Sequence, residues 1–188
     1  VTHDVSSLTD LFCGKKVVIN VTGPFMQLGE HMLQACLTAG WHYFDTTGET
    51  DWMLMLRDKY GAAFAAQDLL LSPASSYMWQ AGVLAAEIAL ETPGIDTLDI
   101  LYFGTSDTSE ASTMSFLRMC TNPQYFLENN ELVQWPYGVS YPVRVADHNR
   151  IFAALPWSGG GEPIWYQHDA RVSNCQVLTA FGSPTAIS

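Results

Sequence analysis

The apolar and polar positions between residues 17 and 40 predict a strand, a turn and a helix. Residues 17–21, VVINV, form a short β-branched run, as expected of a parallel strand buried on both faces. Thr22, Gly23 and Pro24 break the run, and a helix of about three turns should follow. That helix has one apolar side at helical spacing and ends at Gly40; the side consists of Leu28, Met32, Cys36 and Ala39.

Residues 42–45 predict the second strand, and residues 46–49, TTGE, the turn after it. A right-handed crossover between two parallel strands brings Gly23 and Pro24 to the same carboxyl edge as this second turn. Ligands of open α/β sheets bind at that edge. The pattern therefore predicts half of a nucleotide-binding sheet.

The rest of the chain predicts a change of architecture near Thr92. Before it, residues 52–66 and 77–91 have helical spacing, with Asp51 expected to cap the first helix, and residues 69–71 are a third strand. After it come short strands divided by turn residues, among them PIWYQ at 163–167. The predicted fold class is α/β, with a partial Rossmann-like parallel sheet in residues 1–92. An α+β, mainly antiparallel substrate and dimerisation region follows in residues 93–188.

Charge and composition limit the classes of partner that the chain is expected to bind. The 188 residues carry a formal net charge of −11 and a sequence pI near 4.6, and no cluster of Lys and Arg is available to neutralise phosphates. Binding to nucleic acid is therefore not expected. No apolar run has the length of a membrane span. Four widely spaced cysteines form no CxxC pair, which favours free thiols in a reducing cytoplasm.

Two adjoining segments carry a family resemblance. INVTGPF, followed by GEHMLQACLTAGWHYFDTTGE, resembles the saccharopine dehydrogenase-like oxidoreductases over about three dozen residues, which is more specific than a lone glycine motif. Further on, SPASSYMWQAGVLAAEIALE occupies the place of the family's third helix-opening turn, and SGGGEPIWYQHDARV resembles a late segment of one bacterial subgroup. The family's first strand and GxGxxG-type loop are missing. The one glycine cluster, at 159–161, precedes no predicted helix.

The resemblance implies hydride transfer with NAD(P), in which the cofactor supplies the chemistry and the protein orients it. The chain begins at Val1 rather than Met, and we expect it to be a piece of a longer parent. Without the glycine-rich loop most pyrophosphate contacts are lost, so NAD(P) is expected to bind the intact parent and the chain alone should be inactive. The small-molecule substrate is not identified by the resemblance, since amino-acid adducts, polyamines and lipid-like enoyl groups occur among relatives. A homodimer is expected.

Cofactor contacts are predicted at the carboxyl edge, while the catalytic residue remains unknown. Gly23 and Pro24 can let the backbone approach a nicotinamide ribose, or simply end a strand. Glu49 can act as a general acid or base, or as an exposed carboxylate that caps the next helix with Asp51. Asp45 is expected to be hydrogen-bonded to neighbouring backbone. The predicted cofactor-binding set is Gly23, Pro24, Phe25, Thr46, Thr47, Gly48 and Glu49.

Other residues give weaker predictions. No GxSxG elbow is present, which excludes a common class of serine hydrolase, and the histidines lack metal-ligand spacing. His168 and Asp169 are expected in a β-turn; in the alternative, Trp165, Tyr166 and residues 159–162, GGGE, rim a pocket beside them. Trp135, Trp157 and Trp165 favour an interface between subunits. The alternative function is a non-catalytic ligand-binding or oligomerisation domain, in which residues 46–49 have only a structural role.

Overall fold

The computed structural model describes residues 4–105, 109–157 and 160–182. The chain divides into two compact units, Val1–Tyr77 and Met78–Ser188. This division falls at the beginning of a helix that the sequence analysis placed in the first region. The functional assignment of residues 1–92 and 93–188 remains a prediction.

Unit 1 is a parallel α/β layer. Its strands are β1 (Val17–Asn20), β2 (His42–Asp45) and β3 (Leu71–Ser72), in that spatial order, and both pairings are parallel. Its helices are α1 (Val5–Leu11), α2 (Phe25–Ala39), α3 (Thr50–Met55) and α4 (Gly61–Ala66). A π-helical turn, Leu56–Tyr60, joins α3 to α4, so that the helix predicted over 52–66 is continuous. The predicted α/β half-sheet is thus confirmed.

One face of this sheet is packed and the other is largely open. Val18 and Tyr43 lie in a core with α2, α3 and α4, whereas Val17 and Ile19 are 49% and 64% exposed. The prediction that the first strand is buried on both faces is therefore wrong. Strand β1 is also an edge strand, because it pairs only with β2 among the described strands. An exposed apolar edge of this kind is a template for further strand pairing.

Helix α2 ends as the sequence predicts, but a different set of its residues is buried. Gly40 adopts a left-handed conformation with φ of 74°, and the preceding helix stops there. The buried residues are Phe25, Gly29, Leu33, Ala35 and Cys36, while Leu28 is 39% exposed. Gly29 is needed because Trp52 lies against its backbone; a Cβ there would stand 2.7 Å from the indole. The face of α2 that contains Gly29 is therefore the one that packs against Trp52.

Unit 2 is an α+β layer built around its last strand. The strands are β4 (Thr97–Gly104), β5 (Tyr125–Glu128), β6 (Glu131–Gln134), β7 (Tyr141–Arg144), β8 (Ile151–Pro156) and β9 (Asn174–Phe181). Strand β9 pairs in parallel with all of β4 and antiparallel with β5 and β8. The remaining pairings are antiparallel hairpins, as predicted. The helices are α5 (Tyr77–Leu90), α6 (Glu110–Thr121) and α7 (Glu162–Tyr166).

Two sequence predictions fail around residue 160. Residues 163–167 were expected to form a strand, but most of them lie in α7, and Gly161 is the N-cap of that helix with φ of 80°. The glycine cluster therefore does precede a helix. Pro163 in the first turn fits a helix start, because proline has no N–H to leave unpaired there. The apolar residues at 163–166 are typical of a short strand as well, so the sequence pattern did not indicate this helix.

Candidate functional site

Asp45 connects the turns at the carboxyl edge of the unit 1 sheet. Its side chain is fully buried and its Oδ1 accepts hydrogen bonds from the N–H groups of Thr47 at 3.0 Å and Ala74 at 2.9 Å. Its Oδ2 accepts from the Trp52 indole at 2.7 Å and from the Tyr43 hydroxyl at 3.0 Å. Burial raises the pKa of Asp45, and these four donors act in the opposite direction. The predicted backbone hydrogen bonding of Asp45 is confirmed.

Glu49 lies at the beginning of α2. The carboxylate is fully buried and accepts hydrogen bonds from the N–H groups of Phe25 at 2.8 Å and Met26 at 3.1 Å. It is thus a cap of α2, whose free N–H groups carry a partial positive charge. The expectation of an exposed carboxylate is wrong. Glu49 is the N-cap residue of α3, but its side chain makes no capping bond there.

The position of Glu49 limits what this edge can bind. A helix N-terminus in this place can hold a phosphate, but at α2 a carboxylate of the chain already occupies it. Glu49 is also shielded from solvent, as is Thr47. In this structure both side chains have structural contacts, and their predicted role in cofactor binding remains a prediction.

The remaining predicted residues line the accessible part of the edge. Gly23, Pro24, Thr46 and Gly48 are half-buried, whereas Phe25 is 7% exposed. A Cβ on Gly23 would meet the Phe25 ring at 3.4 Å, an ordinary contact. The half-buried Gly23 therefore leaves part of its surface accessible to solvent. Sheet pairing brings all of these residues together as predicted, and their role in cofactor binding remains a prediction.

Unit 2 contains a buried carboxyl group, Glu162, whose partners the sequence does not indicate. Glu162, in the first turn of α7, is fully buried, and the Tyr102 hydroxyl donates a hydrogen bond of 2.5 Å to its Oε1. The Gly82 N–H in turn donates to the Tyr102 oxygen at 3.1 Å. Burial raises the pKa of Glu162 to about 7, although the Tyr102 hydrogen bond opposes the rise. These residues connect α5, β4 and α7.

Two glycines make room for this carboxyl group. A Cβ on Gly82 would lie 2.1 Å from Glu162 Oε1, and a Cβ on Gly160 would lie 2.1 Å from Oε2. Oε2 is buried and has no hydrogen-bond partner among the described residues. Burial of Oε2 without a partner favours the protonated form of the carboxyl, because ionisation of an unpaired buried group is costly. The glycines beside Glu162 in the sequence were the available signal, but their partner Tyr102 is 60 residues away.

The three tryptophans do not form one exposed surface. Trp135 and Trp157 are 7% and 8% exposed, so their assignment to a subunit interface is wrong. Trp135 packs on Phe126, with ring centroids 4.4 Å apart, and Trp157 stacks on Phe116. Trp165 is 57% exposed and packs edge-on against Trp79. Trp135 and Trp157 belong to the core that the short strands of unit 2 enclose. A high content of tryptophan in short strands is expected both of a core and of an interface, so the sequence could not distinguish the two.

Two sequence-predicted features outside these sites are also placed. His168 and Asp169 follow α7 in a turn, where Asp169 forms an ion pair with Arg171. The four cysteines are free thiols, and Cys36 and Cys175 are buried.

Among the described residues, no group of three or more His, Cys, Asp or Glu side chains is arranged to hold a metal ion. No helix in the described part of the chain has the length and apolar character needed to cross a bilayer.

Comparison with known proteins identifies the fold and the family. Over 96% of its length the chain is similar to apo saccharopine dehydrogenase (L-Glu forming) from Saccharomyces cerevisiae, with a TM-score of 0.59 and 9% identity. It covers 43% of that chain, less than half of its length. A second similar structure is yvaA from Bacillus subtilis, described as an oxidoreductase, with a TM-score of 0.40, 15% identity, and coverage of 97% of this chain and 50% of that one.

The first likeness shows a Rossmann-like α/β fold like that of saccharopine dehydrogenase. The sequence comparison is more specific: residues 80–184 match the family of unknown function DUF5938. That match spans more than half of the chain, and the chain therefore belongs to this family. No curated protein matches it by sequence.

Proposed function

We propose that the chain is part of an NAD(P)-dependent, saccharopine dehydrogenase-like oxidoreductase. Unit 1 would be the second half of its nucleotide-binding domain, and unit 2 would belong to its substrate and dimerisation region. The observation that carries the proposal is the open edge of β1. Three parallel strands end at an exposed, β-branched edge strand, where a preceding parallel strand would continue the sheet.

The accessible part of the carboxyl edge supports the same proposal. Gly23 and Gly48 offer backbone with little side-chain cover, and Thr46 adds a hydroxyl beside them. These groups suit the nicotinamide ribose half of a dinucleotide. The pyrophosphate needs a free helix N-terminus, which α2 does not offer because of Glu49. The proposal therefore assigns the pyrophosphate to a glycine-rich loop outside this chain.

The upstream reading frame provides the first test. It should encode a βαβ unit with a GxGxxG-type loop, in frame and upstream of Val1. The extended protein should then oxidise NADPH or NADH in the presence of its substrate, and the present chain should not. An upstream sequence without such a unit would contradict the proposal.

A second candidate is a non-catalytic binding or assembly domain. It is favoured by the burial of Glu49 and Thr47, which gives half of the predicted edge a structural role. Trp165 and Ile88 are exposed apolar residues that a homodimer could cover. Sedimentation distinguishes the states: a monomer at high concentration would remove the dimer from both candidates. A cytoplasmic location belongs to the proposal as well.

A further inference from the structure

Unit 2 contains a cleft of about 320 Å³ at one end of its antiparallel hairpins. The end of α6 contributes Cys120, the β6–β7 connection contributes Trp135 and Tyr137, and the end of β8 contributes Pro156. The volume is within the range of about 300–1,000 Å³ that small-molecule sites occupy. No part of the proposed cofactor edge belongs to this cleft.

The lining is uncharged. Among the described residues that line the cleft, none is Asp, Glu, Lys, Arg or His, although the whole chain is 14% charged with a net charge of −11. A charged ligand would lose part of its hydration here and gain no counter-charge, which disfavours its binding. The cleft thus disfavours carboxylates, phosphates and ammonium groups.

The walls are aromatic and stiff. Trp135 is held from two sides, by Phe126 at 4.4 Å and Tyr141 at 5.5 Å between ring centroids. Pro136 follows it, and Tyr137 is 64% exposed at the rim. Tryptophan, tyrosine and proline lose little side-chain freedom when a ligand packs on them, so the apolar contact is not offset by a large ordering cost.

We propose that this cleft binds an uncharged, mainly apolar small molecule, with a ring or hydrocarbon body packed against the exposed residues Pro136 and Tyr137. Its identification as the apolar part of the substrate rests on the proposed oxidoreductase function. Amino-acid adducts and polyamines are poor occupants because each carries charges for which the lining has no partner. A lipid-like or aromatic substrate fits this lining.

Cys120 allows a direct test because it is exposed and lines the cleft, whereas Cys13 is an exposed thiol in unit 1. The full chain is treated with a small maleimide, and labelling of both thiols is followed by peptide mass spectrometry. The probes are 2-naphthol, 2-naphthalenesulfonate and 2-naphthylmethylammonium, which share one ring system and differ in charge. Cys13 is the internal control for reagent depletion.

The expected result is that 2-naphthol slows labelling of Cys120 several-fold, leaves Cys13 unchanged, and acts at lower concentration than either charged probe. The variant Tyr137→Ala should weaken the protection roughly 3–10-fold, the size of one aromatic contact. Tyr77→Ala removes a tyrosine that is 68% exposed outside the cleft and should leave the protection intact.

Three results would overturn the inference: no protection by 2-naphthol, equal protection by a charged probe, or protection unaffected by Tyr137→Ala. Since no cofactor is present, the outcome is independent of NAD(P) binding. If the proposed oxidoreductase function fails, the cleft would still bind a neutral ligand, but that ligand would no longer be identified as the substrate. Failure of the cleft would leave the cofactor proposal untouched.

Discussion

The Glu49 carboxylate bridges two turns of the sheet by accepting the Phe25 N–H at 2.8 Å, across 24 residues of sequence. It places a negative charge at the partial positive charge of the α2 N-terminus. This contact fixes the second carboxyl-edge turn against the first. Because the carboxylate already occupies the N-terminus of α2, that helix end is not free to bind an anion. The proposed cofactor would therefore need a separate loop for its pyrophosphate.

Removing the Glu49 cap should destabilise unit 1. Glu49→Ala leaves two buried or half-buried N–H groups without an acceptor, and a loss of about 2–3 kcal/mol is expected from urea unfolding. Glu49→Gln retains one acceptor oxygen and should lose less. The exposed Glu91→Gln is the control. In the extended parent protein, a Glu49→Gln variant of normal stability that had lost hydride transfer would instead make Glu49 an acid–base residue.

Glu162 should give the stability of unit 2 a distinct pH dependence. Its folded-state pKa of about 7 lies above the unfolded value of 4.5, so its contribution is fully present below pH 4.5 and is lost as the pH rises through 7. The loss is about 3 kcal/mol at 1.36 kcal/mol per pKa unit. Glu162→Gln cannot ionise and should lack this component of the slope, while the contribution of Asp45 remains in both proteins.

Equal slopes in the wild type and Glu162→Gln between pH 4.5 and 7 would contradict the raised pKa. The comparison uses slopes because the Gln amide brings donors of its own into the site. Its absolute stability is therefore not informative about the charge.

Two helical glycines should respond to alanine with opposite signs. At Gly82 the new Cβ would overlap the Tyr102 hydroxyl and Glu162 Oε1, and a loss of about 1–3 kcal/mol is expected from overpacking. At Gly61 in α4 nothing lies within 4 Å of the new Cβ, and the gain should be about 0.5–1 kcal/mol. Thermal unfolding of the two variants provides the measurement. A neutral Gly82→Ala would mean that the carboxyl site is loose.

A charge on β1 should have opposite effects in the chain and in a longer parent. Ile19 is 64% exposed on the edge strand, and Ile19→Lys should reduce self-association of the isolated chain in light scattering. In the extended protein the helix of the proposed upstream unit would cover this face of the sheet, and the same lysine should destabilise the fold by more than about 2 kcal/mol. Leu117→Lys, at 54% exposure on α6, is the matched control. Equal effects in both proteins would argue against a covering segment.

The sequence was a good guide to local structure in unit 1. Gly40 and the β-branched run before Thr22 determine where α2 and β1 end, because these signals act over a few residues. It was a poor guide to burial. Leu28 is exposed, whereas the adjacent Gly29 is buried against Trp52, and the spacing within the helix carries no information about that partner.

The candidate sites show the same difference between local features, which the sequence predicts, and contacts between distant segments, which it does not. The turns at Gly23 and Thr46 could be predicted because strand ends of a parallel sheet meet at one edge. The burial of Glu49 and the pairing of Tyr102 with Glu162 could not, since both depend on contacts between distant segments. For the same reason Trp135 and Trp157, predicted at an interface, are core residues of unit 2.

Titration of NADPH into the present chain and into the protein extended by its upstream segment tests the central claim most directly. The account predicts weak or undetectable binding to the chain and binding at least two orders of magnitude tighter to the extended protein, a difference of about 2.7 kcal/mol or more. Gly23→Val adds a branched side chain beside the Phe25 ring at this turn, and it should reduce the gain without unfolding the sheet. Tight and equal binding by both proteins would contradict the account.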